Sequence, residues 1–136
     1  MGIESFGIIS FTGETKAADF VTHLSQGRVT ATKCRKCGAR MFPPKMDCPD
    51  CLSSDVEWFD ISGLGTLETF SVVTYGPSGF ENDAPYTLAV ADFDGLKMFG
   101  RMSKAIPAAE LKVGMTVRAV PVTLPENRIS YEFVRG

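Results

Sequence analysis

Every cysteine in the chain falls between positions 34 and 51, as Cys34-Arg35-Lys36-Cys37 and Cys48-Pro49-Asp50-Cys51. This constrains the fold more than any other feature. Two thiols separated by two residues reach one ion from a single tight turn, and two such pairs complete a tetrahedron, the spacing of a tetrathiolate metal site. Gly38 follows the first pair and takes the positive φ that such a turn needs, while Pro49 stiffens the second. Two disulfides would need an oxidising compartment, for which the sequence gives no sign. A redox C-x-x-C needs only one pair, on a thioredoxin-like unit that the pattern lacks. Iron suits four sulfurs as well as zinc does, and spacing does not separate the two; zinc is the expectation. Four protein ligands leave no position open to water or substrate, so the metal is expected to be structural. Its binding contributes about 10–16 kcal/mol to ordering such a segment.

The rest of the chain divides around this stretch. Residues 1–12 are mildly apolar, with Ile3, Phe6, Ile8, Ile9 and Phe11, and read as an arm that packs on its own domain. Residues 13–27 carry Ala17, Phe20, Val21 and Leu24 at helical spacing, which predicts an amphipathic helix with Thr12 as N-cap, Glu14 in the first turn and Gly27 at the stop. His23, the only histidine, is read as a partly exposed helix residue. Beyond the cysteines the period changes to two. Residues 66–75, 86–93, 96–102, 115–124 and 128–134 read as five strands. Asp94-Gly95 is a two-residue hairpin turn, and Glu126-Asn127 turns the last pair. Pro121 places the fourth strand at an edge or bulge, and Ile129, Tyr131 and Phe133 face inward. A short helical turn over 106–112, opened by Pro107, separates the third strand from the fourth. Five strands in this order suit a small Greek-key barrel of the OB type, where a flat sandwich would want more. The organisation is therefore an arm and helix over 1–30, a metal ribbon over 31–60 and a barrel over 61–136.

Charge limits the partners. A formal net charge of −2 over 136 residues gives no global basic character and makes nucleic acid a poor partner. A single-strand-binding barrel stands as the alternative, with Phe70, Tyr75, Tyr86, Phe93 and Phe99 as stacking faces. No apolar run is long enough to span a bilayer and no secretory leader pattern opens the chain, so a cytoplasmic location is expected. Locally, every charge over 28–45 is positive and every charge over 47–60 is negative. The basic run flanks Met41-Phe42-Pro43-Pro44, an arrangement suited to a phosphorylated ligand or an acidic partner. The catalytic inventory is thin. The thiols are committed to metal, the histidine has no evident partner, and Asp92 and Asp94 bracket a turn, where aspartate serves backbone geometry.

At these residues the sequence resembles a known family. Ala31-Thr32-Lys33-Cys34-x-x-Cys37-Gly38, Phe42-Pro43-Pro44, Cys48-Pro49-x-Cys51, Gly63-x-Gly65 and a strand ending in Val72-Val73 resemble the DUF35 family over nearly the whole chain. The resemblance implies a mainly β architecture of N-terminal helix, rubredoxin-like zinc ribbon and five-stranded OB-fold. It implies a non-catalytic accessory subunit that assembles with a thiolase-superfamily enzyme, of acyl-CoA thiolase or hydroxymethylglutaryl-CoA synthase type. Such a subunit helps bind CoA or acyl-CoA in a hetero-oligomer. It carries Cys34, Cys37, Cys48 and Cys51 over as metal ligands. Arg35, Lys36, Arg40, Phe42, Pro43, Pro44 and Lys45 are the expected contacts to CoA or partner. Lys45 stands where relatives often have arginine, so the charge is kept without the bidentate geometry. The enzymatic rival is a stand-alone acyl-CoA hydratase or thioesterase.

Overall fold

The computed structural model describes residues 2–8 and 15–136. The expected cap Thr12, first-turn Glu14, and Ile9 and Phe11 of the arm lie outside the described residues. Within them the helix is shorter than its pattern suggests. A 3-10 turn over Lys16–Ala18 is capped by Thr15, whose Oγ1 accepts the Ala17 N–H at 3.2 Å. It runs into α1, Asp19–Ser25. Gly27 at φ +83° ends the helix, donating its N–H to the Leu24 carbonyl at 3.0 Å while the Arg28 N–H reaches the His23 carbonyl at 2.9 Å. This paired closure is the Schellman arrangement, which needs a left-handed residue there.

Seven residues are too few for a helix to persist alone. What holds α1 is its buried face: Phe20, Val21 and Leu24 are almost fully removed from solvent, each contributing about 1.5–3 kcal/mol on burial. Phe20 meets Phe6, Phe42 and Tyr131 edge-on at 5.7, 5.9 and 6.1 Å between ring centroids. The helix thus sits where arm, ribbon and barrel converge. The described arm residues pack on their own domain, as expected: Phe6 pairs with Ile129, and the Gly7 N–H donates to the Ile129 carbonyl at 2.7 Å.

The ribbon is a three-stranded antiparallel sheet of β1 (Thr30–Cys34), β2 (Arg40–Met41) and β3 (Val56–Asp60), ordered β2-β1-β3. The second sheet holds β4 (Gly65–Val73), β5 (Tyr86–Phe93), β6 (Leu96–Arg101), β7 (Thr116–Leu124) and β8 (Arg128–Arg135), ordered β6-β5-β4-β7-β8. Past the end of β6, Met102 pairs with Phe133 of β8, and the Ser103 N–H donates to the Phe133 carbonyl at 2.8 Å, nearly closing the barrel. This order with closure between the third and fifth barrel strands is the OB Greek key. Asp94 and Gly95 take φ +54° and +88° in the hairpin turn that their sequence announced. A single 3-10 turn, Ala108–Glu110, opened by Pro107, fills the link between β6 and β7. Pro121 lies where β7 pairs with β8 alone, because β4 reaches β7 only at Thr116 and Val117. The missing proline N–H is therefore not needed. A register shift between Leu67 and Thr69 bends β4, letting it pair with β7 at one end and with β5 along the rest.

The barrel core joins Leu67, Ala91, Phe93, Met98, Val117 and Phe133. Gly100 is required for packing: a Cβ there would lie 2.9 Å from Tyr131 Cε2 and 3.0 Å from Phe133 Cε2. Gly100→Ala is expected to destabilise the chain by about 1–3 kcal/mol, read as a lower midpoint in urea denaturation. An unshifted midpoint would mean the two rings yield freely.

Candidate metal centre and its surroundings

Two turns built alike carry the cysteines. In the first, the Cys34 N–H donates to the Ala39 carbonyl at 2.8 Å and the Gly38 N–H to the Cys34 carbonyl at 2.9 Å. In the second, the Cys48 N–H donates to the Ser53 carbonyl at 2.8 Å and the Leu52 N–H to the Cys48 carbonyl at 2.9 Å. The equivalent residues Gly38 and Leu52 have φ of +80° and +63°. Sequence reasoning found the glycine and missed the leucine, because no local signal says that Leu52 must adopt a conformation it disfavours. Thr32, fully buried in β1, fixes the second turn's approach. Its hydroxyl donates to the Lys45 carbonyl at 2.8 Å and accepts the Lys45 N–H at 2.9 Å.

The turns bring four Sγ atoms within 4.8 Å of one another. Cys34 and Cys51, and Cys37 and Cys48, stand 3.5 Å apart. Zinc–sulfur bonds of about 2.3 Å in a tetrahedron separate the sulfurs by about 3.8 Å, so the donor set fits one ion. Cys34 and Cys48 are buried while Cys37 is exposed, which sets the site at the ribbon's tip. The Cys37 N–H points at Cys34 Sγ from 3.4 Å and, with further help from Lys36 and the Cys51 thiol, lowers the Cys34 thiol to about 7. For Cys37 the Ala39 N–H works in the same sense, yet the Cys48 thiol and burial prevail and push it up to about 12. Four crowded thiols thus resist ionising together, and a dication is what makes the fully deprotonated set favourable.

The alternation of charge along the ribbon has a structural cause. Antiparallel pairing sets Lys33 opposite Glu57 and Thr30 opposite Asp60, so the basic run faces the acidic one. Arg35 reaches Asp55 and Glu57 at 3.4 and 3.3 Å, and Arg28 meets Asp60 at 2.6 Å. Arg40 donates to the Asp94 carbonyl at 2.6 Å, across to the barrel. Of the basic residues singled out by sequence, Arg35 and Arg40 are therefore engaged within the fold, while Lys36 and Lys45 stand exposed. Phe42 is half-buried against Phe20 and Tyr131, Pro43 is exposed, and Pro44 and Lys45 line a depression of about 390 Å³ with Thr15 and Lys16.

His23 shares a hydrogen bond with Thr30 Oγ1 at 2.8 Å and meets Trp58 edge-on at 4.9 Å; burial, then Arg28, keep its imidazole below the ordinary value. It braces the helix against the ribbon. Asp92 accepts the Gly95 N–H and the Lys97 ammonium at 2.6 Å each, so it serves the hairpin. Among the aromatics counted as stacking faces, Phe93 and Tyr86 are buried, Phe70 is half-buried, and Tyr75 and Phe99 are exposed.

Comparison with known proteins gives this architecture a family. Residues 22–57 match the model of the ChsH2 rubredoxin-like zinc ribbon domain, and residues 58–122 that of the ChsH2 C-terminal OB-fold domain. A DUF35 domain-containing scaffold protein of Pyrococcus furiosus is 36% identical over 94 residues, covering 68% of each chain. Its counterpart in Methanocaldococcus jannaschii is 34% identical over 90 residues, 65% of this chain and 63% of that one, so the chain spans a little under two thirds of that relative's length. Benzoylsuccinyl-CoA thiolase subunit BbsA of Thauera aromatica is 29% identical over 107 residues, 74% of this chain and 72% of BbsA. Among solved structures, a chain of an Ltp2-ChsH2(DUF35) aldolase has the same fold, with a TM-score of 0.75 at 20% identity over 92% of this chain and 98% of that one. A zinc ribbon followed by an OB barrel is the class the geometry defines. The chain belongs to the DUF35 family.

Leu52 offers a local test of the paired turns. Its side chain is 83% exposed and contributes nothing to the core. The left-handed backbone costs a branched residue about 1–2 kcal/mol, against about 0.5–1 kcal/mol for glycine's extra chain entropy. Leu52→Gly is expected to raise the denaturation midpoint by up to about 1 kcal/mol in stability with metal content unchanged. A loss of stability would show that the leucine side chain supports the turn.

Proposed function

We propose that this chain is an accessory subunit without a catalytic centre of its own, which assembles with a thiolase-superfamily enzyme and helps it hold a CoA thioester. The observation that carries this reading is the similarity, over most of the chain, to a protein named as a thiolase subunit and to others named as scaffold proteins. The chemistry agrees with it. The four thiols converge on one point, and the only histidine is tied to Thr30 and Trp58. Reactive groups for thioester chemistry would come from the partner. Zinc, held by Cys34, Cys37, Cys48 and Cys51, keeps the ribbon folded. Lys36 and Lys45, both exposed, with Pro43 and Pro44 between the turns, are assigned here to contact with the partner or the CoA phosphates; Arg35 and Arg40 are tied instead to Glu57 and the Asp94 carbonyl. Exposed lysines of this kind govern encounter and salt dependence more than final affinity.

Purification of the tagged chain from its native source is expected to bring down a thiolase-like polypeptide in stoichiometric amount. Recovery of the chain alone, or with unrelated polypeptides, would overturn the reading. Lys36→Glu combined with Lys45→Glu is expected to slow association with that enzyme several-fold at low salt, measured by surface plasmon resonance, with metal content intact. Rates unchanged at every ionic strength would remove these lysines from the interface.

The metal assignment has its own check. Cys48→Ser is expected to lower bound zinc well below one ion per chain by mass spectrometry and to reduce thermal stability, because the ribbon's order rests on the ion. A metal-free variant as stable as the parent would refute a structural role.

A further inference from the structure

A cavity of about 520 Å³ opens on the barrel, on lining residues that the metal centre does not use. Four separate stretches build it: the arm, the loop between β4 and β5, the segment just after β6, and the paired strands β7 and β8. Part of the lining is apolar: Phe6, Val122 and Leu124, with Tyr131 beside them. The lining also carries polar groups: Asp83, Arg101, Lys104 and Glu132. The Arg101 guanidinium lies over the Tyr86 ring, 4.1 Å from its centroid, and 5.7 Å from that of Phe80. Its N–H groups bind Asp83, which Lys104 also engages through Oδ1 at 3.1 Å. Arg101 is thereby held against aromatic rings and a carboxylate, and Lys104, about half exposed, is tied to the same carboxylate.

The count of donors matters here. A guanidinium offers five N–H groups and an ammonium three, so one aspartate answers only part of what Arg101 and Lys104 present. Both residues line the cavity together with Phe6, Val122 and Leu124. Such a pairing of apolar volume with a few convergent polar groups is the usual form of a small-molecule site. Glu132 lines the same space, beside Ser103. Its carboxyl sets a limit on the anion the cavity can take, because it repels a doubly charged phosphate about twice as strongly as a singly charged carboxylate at the same distance.

We propose that this cavity binds a small monocarboxylate with an extended apolar body, the carboxylate meeting Arg101 and Lys104 and the body lying along Phe6, Val122, Leu124 and Tyr131. All of the lining residues come from this chain, so the proposal is tested without a partner enzyme and is separate from the accessory role. The same donors would suit a phosphate or sulfate ester in shape. Glu132 and the presence of Asp83 between the cations are what favour the single charge.

The test is calorimetric titration of the full, zinc-loaded chain with decanoate, decanol and decyl phosphate. Saturable binding of one decanoate is expected, at least about tenfold tighter than decanol, as hydrogen bonds from charged donors would give. Decyl phosphate is expected to bind more weakly than decanoate. Lys104→Met, at a half-exposed position, should erase most of the preference for decanoate over decanol while leaving decanol binding in place. Val122→Phe should fill the apolar end and weaken all three ligands. The proposal is overturned if the parent chain shows no saturable decanoate binding. It is equally overturned if decanol matches decanoate, if decyl phosphate binds best, or if Lys104→Met retains the full preference. Should Val122→Phe fail to fold, the lysine variant and the three-ligand comparison decide alone.

Discussion

The convergence of four sulfurs is the constraint on which the N-terminal half depends. The ribbon's own buried cluster consists of Cys34, Met41 and Cys48, with Ala39, Cys51 and Val56 partly covered beside it. That is too little apolar surface to hold three short strands in place, and small modules of this size rely on a metal or disulfides instead. The ion is in effect the ribbon's core. Once the two turns are fixed, β1 presents Thr32 to the backbone of residue 45, and the segment between the turns is drawn across the molecule so that Phe42 packs against Phe20 and Tyr131. The hydrophobic effect then takes over, since these rings belong to the main core rather than to the ribbon.

Tyr131 is the point at which the modules meet. Its ring receives Phe6, Phe20 and Phe42 from three different stretches, and its hydroxyl donates to the Phe99 carbonyl at 2.5 Å. Burial pushes its phenol up to about 12, so it remains a neutral donor through the physiological range. Tyr131 also lines the proposed carboxylate cavity.

Much of this was legible in the sequence because the signals are local. Period-two alternation and Asp94-Gly95 located β5 and β6, Pro121 marked a position without a second neighbour, and the paired cysteines located the four sulfurs that the fold brings within 4.8 Å of one another. What escaped was non-local. The basic and acidic runs read as a polarised surface, but antiparallel pairing turns one run onto the other, and pairing partners more than twenty residues apart are not written in either run. Arg40 reads as a free cation because its acceptor lies 54 residues away. The helix began later than its apolar spacing suggested because Thr15 supplies the cap for the described turn. The cavity was invisible for the same reason as the Arg40 contact: its walls come from four stretches that no window of sequence contains together.

The hydrogen bond from Arg40 to the Asp94 carbonyl joins two modules that are otherwise held by different physics, one by an ion and the other by hydrocarbon. Arg40 leaves β2, whose position relative to β1 is set by the first sulfur turn, while Asp94 occupies the tip linking β5 to β6. This bond joins the ribbon to the barrel beside the packing of Phe42 on Phe20 and Tyr131. The tip between β5 and β6 is thus tied to a strand that the first sulfur turn positions, a bond that crosses from one sheet to the other.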